Sequence, residues 1–293
     1  MRTVNHLGDT LMLSCAMWNA KQVLSDVGFT YSGQYGAVFE RTGLVTAGTP
    51  EKSLYVRYKN FGVKDNAAPL GNLCEGMTVN LGRHLGAEIP CARKTPFIVL
   101  DEKEKHGDFL KGLDGRPYVV MNTNCQDKST VKAYPFWNEV VEMLPETVFV
   151  LSGGRESRDR RSVMKAHGNM VDLRGQTSIR EFFALVEGSV GAVSPSSSLV
   201  HVAAAFGKPI VCMTGASEPT KFTDYPRCVR LSNACFGKRL YDGTYGCRHF
   251  DAKAGSCEKI VEMNGVSYAD CMTRIPPEAV ADAIRMMAGG GIR

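Results

Sequence analysis

Three short stretches collect side chains suited to holding an anion. NTNCQDKSTVKAYP, starting at residue 122, supplies Thr123 and Lys132. SGGRES, from residue 152, supplies Gly153 and Gly154, and SPSSSL, from residue 194, supplies Ser196, Ser197 and Ser198. Hydroxyl donors, cations and glycines that let a backbone approach closely are what phosphate groups bind. His201 follows one turn into an otherwise apolar, alanine-rich run. A buried histidine satisfied by a core partner and a histidine aimed at a ligand both fit that position. A second set is thiol chemistry. Of ten cysteines, Cys15, Cys74, Cys91, Cys125 and Cys212 are dispersed, and such residues read as small buried hydrophobes. Cys228, Cys235, Cys247, Cys257 and Cys271 crowd into the C-terminal part of the chain.

The elements that must position these residues alternate. RPYVVMN (116–122), TVFVLSGG (147–154), NMVDL (169–173), SVGAVSP (189–195) and KPIVCMTG (208–215) are short apolar runs of strand length. Between them lie helical patterns at 134–144, 156–167, 178–188 and 197–206. Serial strand–helix units predict a parallel sheet with helices on both faces. Ligands of such sheets sit at the carboxyl ends of the strands, where the three anion-suited loops fall. Three such loops at strand ends point to a nucleotide.

The first part of the chain is less regular. RTVN predicts a strand stub, HLGDTLMLSCAMWNAKQVL (6–24) a glycine turn opening a helix, SLYVRY (53–58) and PFIVLD (96–101) strands, and GNLCEGMTVNLGRHLG (71–86) a helix. The charged, glycine-punctuated DEKEKHGDFLKGLDG (101–115) reads as a connection between two domains. The boundaries drawn are 1–113 for an N-terminal domain and 114–293 for a second one, which includes a Cys-rich segment, 228–272. That segment has few periodic apolar residues and cannot build much core alone. Pro276–Pro277 opens a last helix with Val280, Ile284 and Met287 on one face.

Composition bounds the rest. The 293 residues are 44% hydrophobic and 22% charged, an ordinary globular balance. A net charge of +5 suits an anionic small ligand and does not single out nucleic acid. The most basic stretch, GRESRDRRSVMK (154–165), reads as a solvated helix face or a phosphate-facing edge. No apolar run is long enough to span a bilayer and no secretory signal is visible, so a cytoplasmic protein with reduced thiols is expected. The absence of a GxGxxG with a following acidic residue argues against a dinucleotide dehydrogenase, and the absence of GxxxxGK[ST] against a phosphate-loop ATPase.

Taken in order, the motifs resemble glycosyltransferase family 9, the heptosyltransferase-like enzymes of the GT-B fold. HLGDTL with Gly8–Asp9, Lys132 of KAYP, Gly153–Gly154, GQTS (175–178) with Thr177, and SSSLVHVAAAFGKP carry the likeness, closest over 110–215. The resemblance implies two Rossmann-like α/β domains, a reduced acceptor-side one over 1–113 and a nucleotide-sugar donor domain over 114–293, and transfer of a heptose-like sugar from a nucleotide-sugar donor such as ADP-heptose, by an inverting route. No catalytic metal is expected. It makes Asp9 the general base for the acceptor hydroxyl, although an aspartate there also reads as a helix cap. Thr123, Lys132, Gly153, Gly154, Thr177, Ser196, Ser197, Ser198 and His201 become donor-binding residues. Ser196 and Ser198 stand where the family commonly has Asp and Gly. Some relatives carry a C-terminal four-cysteine iron insertion ending much like CMTRIPPEAV. The resemblance thus implies structural iron or zinc on Cys235, Cys247, Cys257 and Cys271, with Cys228 left over. The expected partners are the nucleotide sugar, an acceptor glycan or protein hydroxyl and, given the short first domain, a homo-oligomeric neighbour. No nucleic acid is expected. A non-catalytic nucleotide-sugar-binding module and a nucleotide-sugar epimerase or hydrolase of the same fold are the alternatives.

Overall fold

The computed structural model describes residues 6–49, 51–56, 71–113, 115–123, 132–154, 164–215, 222–233, 236–239, 245–247, 249–251 and 256–291. Six strands, β1 (Tyr118–Met121), β2 (Val148–Leu151), β3 (Met170–Asp172), β4 (Gly191–Pro195), β5 (Ile210–Met213) and β6 (Cys228–Leu231), form one sheet in the order β3-β2-β1-β4-β5-β6. Every pairing is parallel, with Val120 between Val150 and Ala192 at the centre. The runs YVVM, VFVL and IVCM are buried along their whole length, as strands covered on both faces must be.

Alternation along these strands sorts their side chains. Val119, Met121, Phe149, Leu151, Val193, Val211 and Met213 join one apolar cluster, with α4 (Trp137–Glu142) and α8 (Pro277–Ala288). Tyr118, Val120, Val148, Val150, Ala192, Ile210 and Cys212 join the other, with α5 (Ile179–Glu187) and α6 (Ser198–Ala205). A capping box starts α5: the Ser178 hydroxyl accepts from Glu181 N, and Ser178 N donates to Glu181 Oε2 at 2.7 Å.

The second cluster extends through the N-terminal half. α1 (Leu7–Val23) is buried continuously from Asp9 to Met17, as a helix apolar nearly all round must be. It is packed between α2 (Leu73–Leu85) and α6. Asn72 caps α2 by a capping box, and Gly86 ends it in the left-handed conformation, φ 68°. The strands expected at 53–58 and 96–101 are absent from the ladders. Tyr55 makes an isolated bridge, and 57–58 lie outside the described residues, as does RTVN. The segment 96–101 is extended, with Pro96 and Ile98 buried, but its backbone bonds to side chains: Phe97 N donates to Ser14 Oγ (2.9 Å), and Val99 O accepts from Arg180 Nη2 (2.6 Å). Of the polar helix expected at 156–167, only 164–167 are described, and they are not helical.

The connector at 101–115 folds as α3 (Glu102–Lys105) and a 3-10 turn, Asp108–Leu113. Arg180 of α5 ties it down, with Nε 2.7 Å from Glu104 Oε1 and Nη2 2.8 Å from Glu104 Oε2. The C-terminal segment is three antiparallel hairpins, β7 (Phe236–Arg239) with β8 (Tyr245–Cys247), β9 (Phe250–Asp251) with β10 (Ser256–Cys257), and β11 (Ile260–Met263) with β12 (Val266–Ala269). The last turns on Asn264–Gly265, both at positive φ, the two-residue pattern that matches strand twist. α7 (Asp270–Thr273) then leads into α8. No helix among the described residues is long and apolar enough to cross a membrane.

Candidate functional site

In the sheet order, the chain leaves β1 toward β2 and β3, then crosses back to β4 on the other side. The carboxyl ends of β1 and β4 therefore bound the crevice where ligands of open parallel sheets bind. Past β1, Asn122 N continues the ladder to Val193 O (3.1 Å), and Thr123 is 2% exposed. The Thr123 hydroxyl is buried and finds no hydrogen-bond partner among the described residues. A buried hydroxyl is stabilised by a hydrogen-bond partner, so the Thr123 side chain is suited to donate to a ligand oxygen.

Past β4, Ser196 N reaches Met213 O at 3.2 Å, and Lys132 Nζ donates to Ser196 O at 3.5 Å. Lys132 thereby stands over the start of α6. Ser197 is the N-cap residue of that helix but makes no side-chain cap bond; its hydroxyl is engaged 2.8 Å away by Ser194 Oγ. The first N–H groups of α6 keep their partial positive charge for an anion. Past β2, Gly153 sits at φ 150°, a glycine conformation, and its carbonyl accepts from Gly175 N at 2.7 Å. That bond joins SGG to the GQTS stretch. Gly154 follows at the strand end. Thr177 is half-buried at the approach to α5, and no hydrogen bond among the described residues joins it to the other candidates.

His201 lies deeper than a surface ligand-binding group would. It is 5% exposed, and its Nδ1 is 2.7 Å from the Tyr225 hydroxyl. Burial, with the Lys132 charge adding, holds its pKa down to about 4, so the imidazole is neutral at neutral pH. Its other edge faces the start of α1: a β-carbon on Gly8 would stand 3.3 Å from His201 Cδ2. Gly8 and Asp9 lie inside the first turn of α1, whose N-cap is His6, so Asp9 is not the cap residue. Asp9 is 5% exposed. A carboxylate in a first helical turn is favoured by the helix dipole.

The structure thus brings Gly8, the residue before Asp9, against His201, and Lys132 against Ser196. Asn122, Ser152, Ser194 and Tyr225 are additional buried polar groups at these strand ends and loops. Asn122, Ser152 and Ser194 open the three anion-suited stretches without having been singled out there; Tyr225 ends an ordinary loop, FTDY, and only the folded chain carries it to His201.

Of the four expected metal ligands, Cys235 lies outside the described residues, and only the backbone of Cys247 is described, opposite Phe236 across β7 and β8. Cys257 and Cys271 are 7% and 4% exposed and share one apolar cluster. Cys271 packs under the end of β5, where a β-carbon on Gly215 would stand 3.1 Å from its sulfur. Among the described residues no group of three ligand-type side chains is placed to hold a metal ion. Cys228 sits apart on β6, where a hydrogen bond from Cys212 lowers its pKa.

Residues 78–238 match the model of glycosyltransferase family 9 (heptosyltransferase). No curated protein sequence matches the chain. Among solved structures, the chain is similar to ADP-heptose lipopolysaccharide heptosyltransferase II of E. coli, with a TM-score of 0.64, 14% identity and 99% of each chain covered. A family 9 glycosyltransferase of Veillonella parvula gives 0.67 at 14% identity, covering 98% of this chain and 96% of that one. The dodecameric iron-containing heptosyltransferase TibC, in complex with ADP-D-β-D-heptose, gives 0.61 at 16% identity, covering 99% and 75%. With more than half of its length inside the family model and the α/β fold of heptosyltransferase structures, this chain belongs to glycosyltransferase family 9 and is a glycosyltransferase of GT-B type.

Proposed function

We propose that the chain transfers a heptose-like sugar from a nucleotide-sugar donor, ADP-heptose or a close relative, to an acceptor hydroxyl. The observation that carries this reading is the cluster at the carboxyl edge of the sheet: a buried Thr123 hydroxyl with no partner among the described residues, Lys132 over the start of α6, which has no side-chain cap, and Gly8, next to Asp9, against His201. The ADP-heptose in the TibC complex supports the choice of donor. In this reading residues 114–293 bind the donor, and 1–113 supply the acceptor side. The Asp9 carboxylate takes the proton of the acceptor hydroxyl as its oxygen attacks the anomeric carbon. The bond to the nucleoside diphosphate breaks on the opposite face, which inverts the configuration. Lys132, the Thr123 hydroxyl and the N–H groups of α6 stabilise the charge that builds on the leaving diphosphate. Gly153 and Gly154 let the backbone approach it, Ser196 to Ser198 line it, and Thr177 borders it.

The four thiols Cys235, Cys247, Cys257 and Cys271 hold a structural iron or zinc in the same reading. The burial of Cys257 and Cys271 in one cluster supports this, as does the iron of TibC. Four thiolates suit either metal, and a bound ion would pin hairpins that bury little apolar surface. The reaction is placed in the cytoplasm, in line with cysteines that form no disulfide among the described residues.

The test is a panel of ADP-, UDP- and GDP-sugars, read by thermal shift and by release of nucleoside diphosphate in the presence of glycan acceptors. ADP compounds at a hundred times their Kd should stabilise the fold by about 2.7 kcal/mol. Asp9→Asn should keep that stabilisation and lose about 100-fold or more in turnover, the scale of a general base. Full turnover by Asp9→Asn removes the mechanism. A folded, metal-loaded chain that none of the sugars stabilises points to a non-catalytic module instead.

A further inference from the structure

The loop between β5 and β6 reaches into the N-terminal half of the chain. Leu73 N donates to Phe222 O at 3.4 Å, and Asn72 Nδ2 donates to Asp224 O at 3.3 Å, so the start of α2 grips residues 222–224. Tyr225 comes next and is 4% exposed. Its hydroxyl lies 2.7 Å from His201 Nδ1 and 3.6 Å from Cys74 Sγ, with the two rings edge to face. Only the nitrogen is within range of a strong hydrogen bond.

A neutral imidazole has one donor and one acceptor nitrogen, and the bond at one sets the role of the other. We propose that Tyr225 is a positioning residue: its O–H donates to His201 Nδ1, which places the imidazole proton on Nε2, on the ring edge facing the Gly8–Asp9 turn. Burial supports this by holding the phenol well above its ordinary pKa, so the proton stays on the oxygen. Nε2 makes no hydrogen bond among the described residues, and it would stand 3.7 Å from a β-carbon on Gly8. The N–H that results is an uncharged donor between α1 and α6, suited to a phosphate or sugar oxygen. The opposite tautomer would turn a lone pair toward the same anion and repel it. The inference rests on the donor-site reading, and it adds to it the state in which His201 works.

The full chain labelled with 15N-histidine tests this by long-range proton–nitrogen correlation, with His201→Asn assigning the signal among the six histidines. A single neutral tautomer with the proton on Nε2 is expected in the wild type. Tyr225→Phe should yield a tautomer mixture and weaken ADP binding about tenfold, the scale of one buried neutral hydrogen bond. Its circular dichroism should stay unchanged. A wild-type proton on Nδ1, or a Tyr225→Phe variant with the same tautomer and the same ADP affinity, overturns the proposal. A wild-type chain that binds no ADP sinks the donor-site reading instead. In that case, or if Tyr225→Phe does not fold, the wild-type tautomer alone decides the role of Tyr225.

Discussion

Replacing Glu104 by glutamine should cost the fold roughly 2 to 3 kcal/mol at pH 7, because one carboxylate holds Arg180 between the two halves of the chain. The Glu104 and Arg180 side chains are 18% and 12% exposed and meet through two bonds, at 2.7 and 2.8 Å. The guanidinium also donates to Val99 O and Ala37 O. The Arg180 bonds, opposed by burial and helped by Asp101 N and Arg41, hold the Glu104 carboxyl at about 2, against 4.5 ordinarily. At about 1.4 kcal/mol per pH unit the difference is worth roughly 3 kcal/mol at most, before solvent screening trims it. The folded-state pKa is depressed, so this stability is complete above pH 4.5 and is lost as the pH falls through about 2. Glutamine keeps the shape and can still accept from Asp101 N, so the loss reports charge. Urea unfolding of both proteins at pH 7 and pH 4 measures it. The gap should narrow by about 1 kcal/mol at pH 4, where an unfolded-state glutamate is largely protonated. A cycle with Arg180→Met should show a coupling above about 1 kcal/mol. A loss under about 0.5 kcal/mol at pH 7, or a gap that does not narrow in acid, would refute the reasoning.

Two further outcomes are expected. Gly8→Ala places a methyl 3.3 Å from a ring that Tyr225 holds still. Helix propensity, about 1 kcal/mol in favour of alanine, should offset the crowding, leaving stability within about 1 kcal/mol while transfer falls about tenfold or more; equal turnover in a steady-state assay would speak against the Gly8–His201 contact. Cys257→Ser and Cys271→Ser should each lower the iron or zinc content measured by mass spectrometry to below half of wild type, and metal content equal to wild type in both removes these two thiols from the site.

The C-terminal sheet was legible because its four inner strands are buried on both faces, so YVVM and VFVL read as strands from apolarity alone. PFIVLD misled for a physical reason. Its alternating burial is strand-like, with Pro96 and Ile98 inward, yet its hydrogen bonds go to the side chains of Ser14 and Arg180 rather than to a neighbouring strand. Hydropathy records burial and says nothing of which partner takes the backbone bonds. Lys132, Ser196 and His201 were singled out by loop chemistry and motif order, whereas Tyr225, the hydrogen-bond partner of His201, carries no local signal. The dispersed cysteines show the same limit. Cys15 and Cys91, far apart in sequence, both donate to Arg93 O at 3.1 Å and accept from Asn19 Nδ2. The Cys74 thiol, with burial, pushes Cys15 well above the usual thiol range, and the Cys15 thiol, with burial, does the same to Cys91. Reading them as inert small hydrophobes fits that protonated state.

One apolar cluster runs from Leu11 on α1 to Tyr225 beside β6, taking in α2, α5 and α6 on the way. The first half contributes no ladder among the described residues, so its helices have one face of the C-terminal half as their floor. Such a chain is not a pair of interchangeable cassettes. Grafting the C-terminal half of another family member onto residues 1–113 would set α1 against a foreign α6, and the graft would have to bring its own α1. Calorimetry of the intact chain should show the two halves melting in a single cooperative peak.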